Sequence, residues 1–310
     1  MKIHRNFDET GDIKNPVVTT GTFDGVHIGH KTILNRLRKL ADDINGETVL
    51  ITFHPHPRKV LYPQGAGKDL QLICTRREKI NLLKNTGLDH LIIVEFTLEF
   101  AKTTSKEFVE NILLHKLKAK RIVVGFNHHF GHNREGDYAY LYELAKTHDF
   151  EVEEIPEQDI ENETVSSTTI RAALKEGRIQ RANAYLDHFY MVMGKLSDGH
   201  PRCREIGFPT YEVNIEEDVK LIPPNGVYAI SLIHCHSKYK GMLNIKKHDD
   251  KKGISLETHL FNLDSDESFL GKINTIFFHK RMRDELSLND SEKFKLQLLS
   301  DKEEIENLIY

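Results

Sequence analysis

Short apolar bursts punctuate the first half of the chain. They fall at 16–21 (PVVTTG), 48–53 (TVLITF), 90–96 (HLIIVEF), 121–126 (RIVVGF) and 150–155 (FEVEEI), and their length predicts buried strands. Between them, segments 30–43, 75–86, 104–118 and 137–147 carry helical spacing; Lys79, Leu82 and Leu83 lie in a one-sided helix face. Strands alternating with amphipathic helices predict an α/β fold, a doubly wound parallel sheet with helices on both faces. Right-handed crossovers then bring every strand's C-terminal end to one edge, and ligands bind there near the switch point of strand order.

The pattern changes in the second half. Residues 163–186 read as two helices, the first preceded by serines and threonines and ended by Gly177. Beyond Asp187, strand candidates follow one another at 190–196, 210–215, 226–236, 239–245, 255–262 and 272–280, separated by turn signals such as DGH, PPNG and NLDSDE. Six strands at this spacing predict a small all-β barrel, and 291–309 reads as a terminal amphipathic helix packed on it. The expected domains are 1–185 and 186–310.

Composition narrows the function classes. Charged residues make up 29% and apolar ones 39% of the 310, as in an ordinary soluble protein. A net charge of −4 argues against a nucleic-acid binder or a ligand of anionic membranes. The N-terminus MKIHRNFDETGD lacks the apolar core of a signal peptide, and no apolar run approaches a bilayer span. Cys74, Cys203 and Cys235 are scattered, without a CxxC pair, which points to a reducing cytoplasm.

Candidate chemistry concentrates at GTFDGVHIGH, residues 21–30, between a predicted strand and a predicted helix. A helix N-terminus offers free N–H groups and a partial positive charge to phosphate. Gly29 leaves room for close approach, and Gly21 and Gly25 permit the tight exit from the strand. His27 and His30, three apart, face one side of the first turn and are placed to donate to phosphate oxygens. Two other readings stay open. His27 caps the helix while His30 packs, or both bind zinc with a third ligand from His54 or His56, although no HExxH is present.

A second stretch, VSSTTIR (165–171), sets Ser166, Ser167 and Thr168 at a helix start and Arg171 one turn inside, where its guanidinium can fork onto phosphate. An ordinary N-cap with a surface arginine is the plain alternative. No P-loop exists, since Gly67-Lys68 is followed by Asp69, and GxGxxG is absent.

These two motifs together, HxGH and SSTxxR, resemble the nucleotidyltransferase superfamily. The longer stretches GTFDGVHIGH, TFHPHPRKV (52–60), VVGFNHHFGHNREG (123–136) and VSSTTIR resemble the bifunctional riboflavin kinase/FMN adenylyltransferases, the prokaryotic FAD synthetases, in the same order. The resemblance implies adenylyl transfer from ATP to FMN, giving FAD and pyrophosphate with Mg²⁺. It implies that His27 and His30 serve the transition state and that Ser166, Ser167, Thr168 and Arg171 hold the β- and γ-phosphates. Gly21, Phe23, Asp24 and Gly29 would shape the ATP pocket, and Asn127, Phe130 and Arg134 would line the flavin cleft. Asn127 stands where the family has Asp, and His129 where it has Arg.

The second half resembles the riboflavin kinase module through GKLSDG (194–199), RxxGFPT (204–210), GVYA (226–229), GMLNI (241–245) and LETHLFN (256–262). By matching positions, Thr210 would touch Mg²⁺ and ATP, and Glu257 would take the proton from riboflavin's 5′-hydroxyl. Several positions depart from the family. Glu212 replaces the Asn of PTAN and becomes a candidate Mg²⁺ ligand. Cys203 replaces a Gly, Lys246-Lys247-His248-Asp249 replaces a Gly and Pro-Thr stretch, and 282–288 lacks the usual Lys-Phe. The expectation is a competent adenylyltransferase joined to a kinase module that is weakened or retuned. The rival readings are an adenylyltransferase whose barrel only binds flavin or regulates, a flavin sensor, and a zinc hydrolase using His27, His30, His54 and the His128/His129/His132 cluster.

Overall fold

The computed structural model describes residues 1–160, 163–234, 237–247, 253–263, 269–285 and 291–309. These form two compact units: Met1–Gln71 with Lys79–Ser166, and Leu72–Glu78 with Ser167–Tyr310.

The first unit is built on six parallel strands: β1 (Lys2–His4), β2 (Val17–Thr20), β3 (Thr48–His54), β4 (His90–Glu95), β5 (Arg121–Gly125) and β6 (Glu151–Ile155). Their spatial order is β1-β4-β3-β2-β5-β6. The order reverses between β2 and β5, so the crevice expected for ligands opens beyond Thr20 and Gly125. Side chains alternate across the sheet. Val17, Leu50, Leu91, Ile93 and Val123 pack with Leu34, Leu37 and Leu40 of α1 (Ile28–Asp43). Val18, Val49, Ile51, Ile92, Ile122 and Val124 pack on the other face with Phe108, Val109, Leu113 and Leu141. Strands buried on both faces read as continuous apolar runs, which is why they were legible.

Several features of this unit were not expected. Strand β1 has only His4 buried, and a 3.0 Å hydrogen bond between His4 Nε2 and His90 Nδ1 ties it to β4. A short helix, α2 (Pro57–Leu61), follows β3. The predicted helix 104–118 starts with a capping box, in which Thr104 Oγ1 accepts from the Glu107 amide and Glu107 accepts from the Thr104 amide. This α4 (Ser105–Glu107) then widens to a π-helix over Phe108–Lys116. The helices α3 (Arg76–Lys84) and α5 (Tyr138–Ala145) are as predicted. A small ladder, β7 (Asp159–Ile160) with β8 (Glu163–Thr164), precedes Ser166.

The second unit carries α6 (Ser167–Lys175) and α7 (Ile179–Leu186), then a closed barrel. Gly177 between the helices has φ +74°, and a Cβ there would press on the Arg281 side chain, so glycine is required. The barrel strands are β9 (Tyr190–Asp198), β10 (Tyr211–Asn214), β11 (Gly226–His234), β12 (Ser237–Lys247), β13 (Ile254–Leu260) and β14 (Ile273–Arg283), closed in the order β10-β13-β12-β11-β14-β9. Helix α8 (Pro201–Glu205) lies in the β9–β10 connection. Helix α9 (Ser291–Leu308) lays Leu298 and Ile305 on an outer apolar cluster with Phe208, Val227, Met242 and Phe261.

A buried ion pair belongs to this unit. Lys220, 3% exposed, donates to Glu78 Oε2 at 2.7 Å and to the carbonyls of Ile73 and Met191 at 2.6 and 2.7 Å. Its ammonium also lies 4.3 Å from the Tyr190 ring centroid. Glu78 in turn accepts from the amides of Thr75 and Met193. Burial alone would lower the lysine's pKa, but Glu78 and Tyr190 hold it above its ordinary value.

Candidate active sites

The loop from β2 to α1 is held tightly. Phe23 and Val26 have φ +47° and +44°, conformations that L residues with bulky side chains adopt at a cost of roughly 1–3 kcal/mol each. The unit sustains this because both side chains are buried in its core. The result is a stack of three rings. Phe23 lies on His30 with centroids 4.4 Å apart, and His30 lies on His27 at 3.6 Å. His27 occupies the N-cap of α1 but makes no side-chain capping bond, so a capping role does not explain it.

The two glycines make room for these rings. A Cβ on Gly21 would come within 3.1 Å of Phe23, and one on Gly29 within 3.3 Å of His27. The clearance at Gly29 is therefore filled by the His27 ring. Asp24, which follows Phe23 in the chain, is buried as well. His30 Nδ1 is buried without a hydrogen-bond partner. Burial, then the charges of His27 and Lys79, hold the His30 pKa well below its ordinary value. His30 is neutral at physiological pH, with an unused ring nitrogen at a helix N-terminus. Lys79 was seen in the sequence only as part of a helix face. Its ammonium donates to the Thr22 carbonyl at 2.6 Å, inside this same loop.

The loop after β5 reaches the same edge of the sheet. Asn127 and Arg134 are exposed, with φ +56° and +60°. Phe130 pairs its backbone with Gly136 and packs its ring on Phe108 and Tyr140, so it anchors the loop to the core. Of the histidines invoked for zinc, His56 and His132 are engaged otherwise, while His30 Nδ1 and His128 Nε2 are buried without a hydrogen-bond partner. His56 caps α2 by accepting from the Arg58 amide, His132 bonds the Ala101 carbonyl, and burial depresses His128 to about 4. Among the described residues, no group of three His, Cys, Asp or Glu is placed to hold a metal ion, and the zinc-hydrolase reading has no support.

In the second unit, Ser167 and Thr168 open α6, and the half-buried Arg171 lies one turn on. Ser166 belongs to the first unit.

The barrel carries a cavity of about 360 Å³ on its outer face. Alternation on β13 puts Leu256, Thr258 and Leu260 inside the barrel and Glu257 and His259 into the cavity. Asn244, paired with Glu257 in the ladder, joins them, and its Oδ1 is buried without a hydrogen-bond partner. Thr210 enters from the end of the β9–β10 connection, its Oγ1 accepting from the His200 amide and its carbonyl from the Gly199 amide. Phe294 and Leu298 of α9 and Cys203 of α8 also line the cavity.

Glu212 is exposed, pairs directly with Glu257 across β10 and β13, and is not among the cavity's wall residues. Burial raises the Glu257 pKa, and the Glu212 charge adds to the rise. Of the other departures, Lys246 lines the cavity and lies 3.3 Å from Glu285. His248 and Asp249, like 286–288, fall outside the described residues. Arg283, a further wall residue, is held by Asp301 of α9 at 2.6 Å. Asn244 and His259 were not singled out from the sequence, although His259 lies two residues along the same strand from Glu257 and so shares its face.

Comparison with known proteins bears on both halves. The family model of FAD synthetase matches residues 10–169, and that of riboflavin kinase matches 186–309. A bifunctional riboflavin kinase/FMN adenylyltransferase of Buchnera aphidicola is 32% identical over 98% of this chain and 97% of its own length. Another, from Listeria monocytogenes, is 32% identical over 96% of this chain and 93% of its own. That of Escherichia coli K12 is 29% identical over 92% and 90%. A crystal structure described as a macrolide-efflux protein from Streptococcus pneumoniae superposes with a TM-score of 0.88, at 28% identity, over 99% of this chain and 98% of that one. Among the described residues of the present chain, no helix is long and apolar enough to cross a membrane.

Proposed function

Since the chain belongs to the family of bifunctional riboflavin kinase/FMN adenylyltransferases, we propose that the two constellations above are its two catalytic sites. The activities are ATP-dependent phosphorylation of riboflavin to FMN and adenylylation of FMN to FAD. We assign adenylylation to 1–185 and phosphorylation to 186–310.

In adenylylation, an FMN phosphate oxygen attacks the α-phosphorus of ATP, and the bond to the β-phosphate oxygen breaks to release pyrophosphate. Charge builds on the phosphate oxygens as this happens. His30 is a donor that costs little to orient, because Phe23 and His27 fix its ring on both sides. Its neutrality in the free enzyme means that approaching phosphates, not a resident carboxylate, would favour its protonation. Gly21, Phe23, Asp24 and Gly29 are assigned to the ATP pocket beside this stack, and Ser166, Ser167, Thr168 and Arg171 to the β- and γ-phosphates. Asn127, Phe130 and Arg134 are assigned to the flavin. The ring stack at the sheet's switch point is the observation that carries the reading. Purified protein given FMN and ATP should yield FAD and pyrophosphate; no FAD under those conditions would overturn it.

In phosphorylation, Glu257 accepts the proton of the ribityl 5′-hydroxyl while that oxygen attacks the γ-phosphorus and ADP departs. A carboxylate with a raised pKa is a better base at neutral pH. The wall oxygens of Thr210, Asn244 and Glu257 form an all-oxygen donor set that fits a hard cation. We assign Mg²⁺ to Thr210, with Glu212 as a further carboxylate; bound there, it would neutralise phosphate charge. The Glu212–Glu257 pairing favours a retuned kinase over a lost one. Conversion of riboflavin to FMN by the full chain tests this directly. The ATP dependence of both reactions supports a cytoplasmic location.

A further inference from the structure

His259 faces the cavity beside Glu257 yet has no part in the chemistry described so far. Its Nδ1 lies 2.8 Å from the Pro209 carbonyl oxygen. A carbonyl only accepts, so Nδ1 carries the proton. The ring is held by Phe208, at 5.0 Å between centroids, and by Phe261, at 5.7 Å. Burial keeps its pKa below the ordinary value, so the imidazole is neutral and this tautomer persists at physiological pH.

The bond falls at a decisive place. Pro209 has no amide hydrogen of its own, and its carbonyl belongs to the peptide that leads into Thr210. Thr210 is not yet within the strand, which begins at Tyr211. Its ties to the Gly199 and His200 amides come from within the same connection, and the β10–β13 ladder, which begins one residue on at Tyr211–Thr258, secures only its C-terminal side, leaving its N-terminal side to be fixed to β13. The His259 bond fixes that side, one residue before Thr210 and two residues from Glu257 on β13.

We propose that His259 is a positioning residue of the kinase reaction, setting the nucleotide-side threonine, Thr210, against the base, Glu257, through the Pro209 carbonyl. The inference rests on the kinase reading of the cavity. Binding of Mg·ATP depends on Thr210 in that reading, whereas riboflavin does not, so loss of the bond affects the two substrates unequally.

The test uses the full chain and two variants. His259→Phe keeps an aromatic ring between Phe208 and Phe261 but has no donor. His259→Asn places an amide nitrogen the same number of bonds from Cα as Nδ1. In His259→Phe, KM for Mg·ATP in FMN formation should rise about fivefold, as expected for one lost neutral hydrogen bond, with KM for riboflavin unchanged. His259→Asn should recover most of the loss, and FAD formation from FMN should be unaltered in both.

Amide hydrogen exchange supplies a readout that needs no turnover. Peptides covering 199–211 should exchange faster in His259→Phe and return toward wild type in His259→Asn. Equal rises in both KM values, or no recovery in His259→Asn, would reduce His259 to a packing residue and overturn the proposal, as would unchanged exchange over 199–211. Failure of the kinase reading itself would show separately, as a wild-type chain that makes no FMN.

Discussion

Glu212 and Glu257 are directly paired across strands β10 and β13, two carboxylates on one outer face of the barrel. Cross-strand partners stand close enough for like charges to disfavour each other. Burial raises the Glu257 pKa first, and Glu212 raises it further. A base works when deprotonated, so activity falls as pH drops through that raised value. Glu212→Asn removes one cause of the rise and should move the acidic limb of the FMN-forming rate to lower pH. A limb that stays put or moves upward would show that Glu212 does not set the base.

Glu257→Gln should lower FMN formation by roughly 10²–10⁴-fold, the usual worth of a positioned general base. FAD formation supplied with FMN should persist. Assaying both reactions on one preparation separates loss of the base from misfolding.

His30→Ala should have the reverse effect. Removing a preorganised donor to a developing phosphate charge costs about 10²–10³-fold in kcat. That loss should appear in FAD formation, with riboflavin phosphorylation retained. Equal loss of both reactions would contradict the assignment.

Gly29→Ala provides a finer probe. The new Cβ would sit 3.3 Å from the His27 ring and move it by a few tenths of an ångström. Alanine is also the better helix former by up to about 1 kcal/mol. Thermal stability should therefore hold or rise while FAD formation falls, by about tenfold if the ring's placement matters as the stack suggests. Unchanged FAD formation would mean that the His27 ring tolerates displacement.

Lys220→Met should destabilise the chain by about 3–5 kcal/mol, because it leaves Glu78 buried without its counter-charge. Adding Glu78→Gln should restore part of that loss. Denaturant titration of the single and double variants measures both.

Legibility in the sequence followed the physics of each element. Strands β2 to β5 were visible because burial on both faces demands unbroken apolar runs, whereas the edge strand β6, EVEEI, has only Ile155 buried. Strand β1 was not, since Lys2 and Ile3 are exposed and only His4 is buried. The π-helix at 108–116 shares the apolar content of an α-helix, and the spacing 104–118 revealed a helix but not its widening. His27 and His30 were found through their motif, and their rings do stack, although His27 sits at the extended N-cap and not within the helical turn from which their common face was read. Partnerships set by register or by distant contact had no such signal. The pairing of Glu212 with Glu257 depends on how β10 slides along β13, and alternation within one strand does not fix that. Lysine and glutamate ordinarily mark surface, so nothing pointed to Lys220 and Glu78, 142 positions apart, as a buried pair.

That pair limits how the gene can be divided. A fragment beginning near residue 186 would contain every barrel strand and the whole cavity on the barrel's outer face, yet it would lack Leu72–Glu78. Its Lys220 would face Tyr190 and the Met191 carbonyl with no carboxylate, and the ammonium would have to shed its proton or draw in water. Seven residues encoded far upstream thus act as a covalently supplied part of the downstream fold. Splitting the two activities into separate polypeptides would require that peptide to be added back or Lys220 to be replaced along with it.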